Sequence, residues 1–233
     1  MVARPTNHLR HLGGIFGLVV CGTSCDEIPR TYSTTGRGAR VVIDENFNRR
    51  TIGDDWRVTG DGVRIEDGSL VVSGARNHPL WLKRPIPHEV RIEFDAWAAT
   101  KSGDIKVEIA GDGHSYATTV SYTATGYVLI FGGWDNKLSI IARKNEHGED
   151  RETRSSPSVD VGHRYHFVIT RSQNELRWGI DGQEFLTMID PQPLTGPENQ
   201  FFAFNGWEAE TRFDNLKITD LSTARGLRAP QLP

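Results

Sequence analysis

The sequence predicts an all-β chain folded as a two-sheet antiparallel sandwich, and three observations carry that expectation. From Val41 onward apolar and polar residues alternate with a period of two. Gly- and Asp-rich turn signals interrupt the runs at the spacing of short strands. After residue 40 no stretch keeps a helical period for three turns. The formal charge of −3 offers no basic excess for nucleic acid. The two cysteines, Cys21 and Cys25, both precede the alternating region, so a disulfide or a zinc–thiolate site is not expected within it.

Residues 1–24 read as an export signal. Arg4 and Arg10 precede the apolar run 12–21, and no acidic residue occurs before Asp26. The run has the length of a signal-peptide core and about half that of a membrane span. Small residues, Gly22-Thr23-Ser24, lead into Cys25. This start resembles a bacterial lipoprotein signal, which implies a lipid on Cys25 as the one membrane attachment and a place in the cell envelope. Gly22 stands where that family usually has leucine. Residues 25–40 read as a flexible tether, 41–221 as the folded domain and 222–233 as a loose tail.

Within the domain the strands follow from their alternation. Val90, Ile92, Phe94 and Ala96 alternate with Arg91, Glu93, Asp95 and Trp97. Ile105, Val107 and Ile109 alternate with Asp104, Lys106 and Glu108, and Leu176, Trp178 and Ile180 with Glu175, Arg177 and Gly179. Each such strand is expected to bury one face and wet the other. Asp181-Gly182 tolerates the positive φ angles of a two-residue hairpin and joins 176–180 to 184–188. About a dozen strands of this kind fill one sandwich. Trp178 and Trp56 are assigned to its core.

Two long stretches, 126–148 and Phe202-Ala-Phe-Asn-Gly-Trp-Glu208 continuing to Phe213-Asp-Asn-Leu-Lys-Ile218, accompany an opening Asp44-Glu-Asn-Phe47 and Asp55-Trp56. Together they resemble the concanavalin A-like, laminin-G-like jelly rolls of bacterial surface proteins over residues 41–221. The resemblance implies a jelly roll and a superfamily of lectins, carbohydrate-binding modules, glycoside hydrolases, polysaccharide lyases and adhesion domains. It does not choose among them. It also implies an occasional structural calcium, for which Asp44, Glu45, Asp214 and Asn215 would supply oxygens. No other cofactor or metal is expected, and the chain is expected to be a monomer.

The catalytic candidate is Glu93-Phe-Asp95-Ala-Trp97. Its carboxylates share a strand face about 7 Å apart at Cα and resemble the start of the Glu-x-Asp-x-x-Glu signature of laminarinase-like hydrolases. Trp97-Ala98 follows, with Ala98 where the last glutamate would fall, so catalysis is not favoured. The same carboxylates also suit a solvated face paired to Arg91 and Lys106. His166, Arg143, Arg164 and Tyr122 have no spacing that joins them into a lyase site. His163 and His166 point to opposite faces of a strand, and residues 146–154 read as a solvated hairpin or loop.

The binding reading rests on tryptophans. Trp97 lies on a polar face beside Glu93 and Asp95, where folding alone gives an indole no reason to be. Trp134 and Trp207 follow glycines at strand ends. Sugars offer C–H faces to indoles and hydroxyls to carboxylates and guanidinium groups. The expected function is therefore non-catalytic glycan binding. Trp97 would stack on a sugar, Glu93 and Asp95 would accept from hydroxyls, and Arg143 would donate near Trp134, with Trp207 as a further contact. The alternatives are a polysaccharide-cleaving enzyme of the same fold and a protein-binding adhesion scaffold.

Overall fold

A computed structural model describes residues 38–119 and 122–225. In chain order its strands are β1 (Arg40–Glu45), β2 (Trp56–Arg57), β3 (Val63–Glu66), β4 (Ser69–Ser73), β5 (Leu80–Leu82), β6 (Val90–Ala98), β7 (Ile105–Gly111) and β8 (Tyr127–Gly132). After a helical turn α1 (Gly133–Asn136) come β9 (Leu138–Arg143), β10 (Glu152–Arg154), β11 (Tyr165–Ser172), β12 (Glu175–Ile180), β13 (Gln183–Ile189), β14 (Phe201–Asn205) and β15 (Glu210–Asp220). A short 3-10 turn, Ser222–Arg225, follows. The export signal, Cys25 and nearly all of the tether lie outside the described residues.

The strands form two antiparallel sheets. The first runs β13-β12-β11-β6-β15-β4-β3, with β1 beside the second half of β15; the other runs β10-β9-β8-β7-β14-β5-β2. This is the jelly-roll sandwich that the alternation and the resemblance anticipated. The Asp181-Gly182 hairpin is present, with both residues at positive φ, 50° and 77°. Asp67-Gly68, at 50° and 73°, turns β3 into β4 in the same way.

Inward side chains of both sheets meet in one core. Phe94 and Phe167, partners across β6 and β11, stack with centroids 5.0 Å apart. Phe204 from the other sheet meets Phe213 at 4.4 Å. Trp178 and Trp56 are buried within the same cluster, as assigned. Such aromatic contacts add specific geometry to area burial and fix the spacing of the layers.

The alternation fails in one informative place. On β7 the polar residues Lys106 and Glu108 are 2% and 0% exposed, so the face expected to be wet is covered. The cover is the connection from β7 to β8. From it Ser115 O accepts from Trp81 Nε1 at 2.9 Å, and Tyr122 OH donates to both Glu108 oxygens at 3.1–3.2 Å.

Candidate functional site

Where that cover ends, the outer face of the second sheet opens into a cleft of about 1040 Å3. Its walls include Trp134, Trp207, Asp104, Lys106, Tyr122, Glu146 and Asn77. The tryptophans are 38% and 39% exposed, although both belong to well-ordered turns rather than to a loose surface. Each is held in place by a specific local arrangement.

Trp134 rides on α1, which is helical in hydrogen bonding but not in hand. Trp134, Asp135 and Asn136 have φ of 52°, 56° and 61°, the left-handed region that costs a side chain with Cβ roughly 1–2 kcal/mol. The turn persists because its ends are clamped. Asn136 Nδ2 donates to Val159 O at 2.8 Å while Asn136 Oδ1 accepts from Val159 N at 2.7 Å. Gly132, at φ 70°, leads in; a Cβ there would meet Asn136 and Val159 within about 2.5 Å, so glycine is required. The result is an indole pushed outward against His147, ring centroids 5.6 Å apart, with the Arg151 guanidinium 5.3 Å from the ring centre.

Trp207 sits on the β14–β15 turn. Its carbonyl accepts from Arg76 N at 2.9 Å, and Gly206 O accepts from Asn77 N at 3.0 Å. Asp104 braces both tryptophan-bearing turns. Its Oδ2 accepts from Trp207 N at 2.7 Å, and its own backbone N–H donates to Gly132 O at 2.9 Å.

The floor is a buried polar network. Lys106 Nζ donates to Asn77 Oδ1 at 2.6 Å and to Glu146 Oε2 in a very close contact. Asn205 Nδ2 donates to Glu108 Oε1 at 2.7 Å. Burial pushes the Glu108 carboxyl up to about 7 and Asp104 up to about 6, against the opposing pull of Lys106. Glu146 therefore corrects the reading of 146–154 as wholly solvated: its carboxylate belongs to the floor, whereas β10 in the same stretch is exposed.

The residues singled out from sequence fall in three places. Trp134 and Trp207 come together in the cleft. Trp97, Glu93 and Asp95 lie on the outer face of the other sheet, so they do not join them. There the Arg164 guanidinium sits 4.9 Å from the Trp97 ring centre and donates to Asp95 and Asp214 at 3.0 and 2.7 Å. Glu93 accepts from Arg91 at 2.8 Å, which with burial opposing holds its carboxyl below the usual range. Burial would raise Asp95, but hydrogen bonds from His166, Asn215 and Arg164 together hold it low. The expected pairing with Arg91 is present; Lys106 is in the other sheet, so a pairing of these carboxylates with it is corrected.

Arg143 occupies a third place. It donates to Asp190 Oδ2 at 3.0 Å and to Gln192 O at 3.2 Å, and it is not among the cleft walls. Of the oxygens considered for calcium, Glu45 receives Phe47 N–H and pairs with Arg49, and Asp214 holds Arg164. Among the described residues no three His, Cys, Asp or Glu side chains stand together as a metal site. The sequence reading missed Asp104, Lys106, Glu108 and Glu146 as site residues. The signal was present in Asp104-x-Lys106-x-Glu108, three charges of mixed sign on one face of a strand.

No known protein family's sequence profile matches the chain, and no curated protein matches it either. Solved structures do share its fold. A family 66 carbohydrate-binding module from Bacillus subtilis aligns with a TM-score of 0.55 at 12% identity, over 74% of this chain and 98% of the module. A non-specific endo-β-1,3(4)-glucanase of glycoside hydrolase family 16 aligns at 0.56 and 14%, over 82% and 95%. A prokaryotic β-1,3-1,4-glucanase (lichenase) from a mouse hindgut metagenome aligns at 0.56 and 13%, over 76% and 98%. At these identities the likeness shows the jelly-roll fold.

Proposed function

We propose that the cleft on the outer face of the second sheet binds a carbohydrate. The observation that carries this reading is the pair of half-exposed indoles, Trp134 and Trp207, held by clamped turns above a floor of buried polar groups. An indole held out at a cost of backbone strain has lost contacts it would gain inside the core, and a sugar's C–H face restores them. Thr100, Ser102 and Glu146 line the same cleft and supply hydroxyl-sized polar contacts. The fold's appearance in a carbohydrate-binding module and in two glucanases agrees with this reading.

Binding without turnover is the preferred form. Glu108, the carboxyl raised furthest, is fully covered and receives hydrogen bonds from Tyr122 and Asn205, so a glycosidic oxygen cannot reach it. Calorimetry over a panel of soluble polysaccharides tests the proposal. Trp134→Ala and Trp207→Ala should each weaken binding about tenfold or more, in line with an aromatic anchor at the centre of a small site. Unchanged affinity in both variants would refute it.

Hydrolysis in the same cleft is the second reading, favoured by one observation. Asp104, half-buried and raised to about 6, shares the cleft with Glu146, and an acid of that kind can protonate a leaving oxygen near neutral pH. Reducing ends released by the native protein and lost in Asp104→Asn would establish it. We further propose export and a lipid on Cys25 as the route to the cell envelope; Cys25→Ser should free the protein from membranes.

A further inference from the structure

We infer that the cleft selects glycans bearing free amino groups and rejects those bearing carboxylate or sulfate; the inference rests on the carbohydrate reading above. Each indole is followed in the chain by an exposed acid, Trp134 by Asp135 and Trp207 by Glu208, and all four residues line the cleft. An indole face beside a carboxylate holds an ammonium by two attractions at once, cation–π and ion pairing.

Two of the cations near the cleft, Lys106 and Arg151, are held by its own groups, and Lys137 on the wall is paired with Asp135. The Lys106 ammonium, 2% exposed, is enclosed by Asn77 and Glu146. Arg151 lies over the Trp134 ring and donates to Glu146 O at 2.7 Å. No arginine is among the cleft walls, so no guanidinium fork is presented to a sugar carboxylate or sulfate. Arg143, the donor expected near Trp134, is turned to Asp190 instead.

The two rim acids do have partners. Lys137 stands 3.5 Å from Asp135, and Arg76 3.1 Å from Glu208. All four of these side chains are well exposed, and such pairs are weak and screened by salt. A ligand ammonium anchored on the Trp207 indole can replace Arg76 at little cost, whereas at Trp134 it shares the ring with Arg151 and displaces Lys137. A ligand carboxylate in the same place meets Asp135, Glu208 and Glu146.

The test is calorimetry on the full chain with three oligosaccharides of equal length: glucosamine, N-acetylglucosamine and galacturonic acid oligomers. The pH is set where the amine is protonated, and both low and high salt are used. The glucosamine oligomer should bind about tenfold tighter than its acetylated counterpart at low salt, with the gap narrowing at high salt. The galacturonate oligomer should bind weakest of the three. The double variant Asp135→Asn/Glu208→Gln should close the gap by weakening the glucosamine oligomer more than the acetylated one. Galacturonate binding as tight as glucosamine, or a gap that survives the double variant, overturns the selectivity alone. If neither these oligomers nor the polysaccharide panel bind, the carbohydrate reading fails and the selectivity falls with it.

Discussion

The two outer faces of this sandwich are made from the same ingredients and arrange them differently. On the face of β6, Trp97 has Glu93 and Asp95 beside it, and the Arg164 guanidinium stands 4.9 Å from the ring centre while joining Asp95 to Asp214. On the other sheet, Trp134 and Trp207 stand at a cleft with Lys106 and Glu146 paired in its floor and Arg151 over the Trp134 ring. The difference lies in what holds the cation, two carboxylates for Arg164 against a backbone carbonyl for Arg151, and in how much indole is left exposed. A guanidinium over an indole occupies surface that a ligand would use, as Arg164 does at Trp97 and Arg151 does at Trp134; among the described residues no cation stands over the Trp207 ring, and Trp134 stays 38% exposed. Composition alone does not distinguish these cases; the third dimension of the charge network does.

The largest expected effect concerns the floor. Glu108 is raised from 4.5 to about 7 in the folded protein, so the native state holds a proton that the unfolded chain has already lost. Stability from this group is therefore full below about pH 4.5 and falls as pH rises through 7, by on the order of 3 kcal/mol. Glu108→Gln should remove that slope while keeping a hydrogen-bonding partner for Asn205 and Tyr122. Chemical unfolding at several pH values reads the effect; an unchanged slope would mean that Glu108 is not buried as described.

Next comes the clamp under Trp134. Asn136→Ala removes both hydrogen bonds to Val159 and should cost about 1–3 kcal/mol of stability. Because the left-handed turn loses its anchor, ligand affinity should fall along with stability. Affinity that stayed at the native level would show that Trp134 needs no such support.

The smallest effect is expected on the opposite face. Arg164→Ala removes an exposed cation from Asp95 and Asp214 and should change stability by less than about 1 kcal/mol. It should uncover Trp97 and make tryptophan fluorescence more accessible to a neutral quencher, without altering glycan binding. A rise in affinity would mean that this face is a second site held shut by its own arginine.

The contrast also explains which parts of the molecule were legible in one dimension. Alternation identifies β6, β7 and β12 because the core lies on one side of each, and the period of two records that directly. Asp181-Gly182 was readable because a two-residue turn is local. The same logic placed Trp178 and Trp56 inside. It misassigned the outer side of β7, where Lys106 and Glu108 look solvated until Ser115 and Tyr122 on the β7–β8 connection are folded over that sheet. It also set Trp97 ahead of Trp134 and Trp207. Arg164 is 67 positions from the ring it covers, and nothing in the local pattern announces that contact.

The six tryptophans offer a direct readout, because each indole N–H gives its own signal in a nitrogen–proton correlation spectrum. Titration with a bound oligosaccharide should shift the signals of Trp134 and Trp207 and leave Trp97, Trp56 and Trp178 in place. Shifts concentrated on Trp97, with Trp134 and Trp207 unmoved, would place the ligand on the wrong sheet for this account and contradict it.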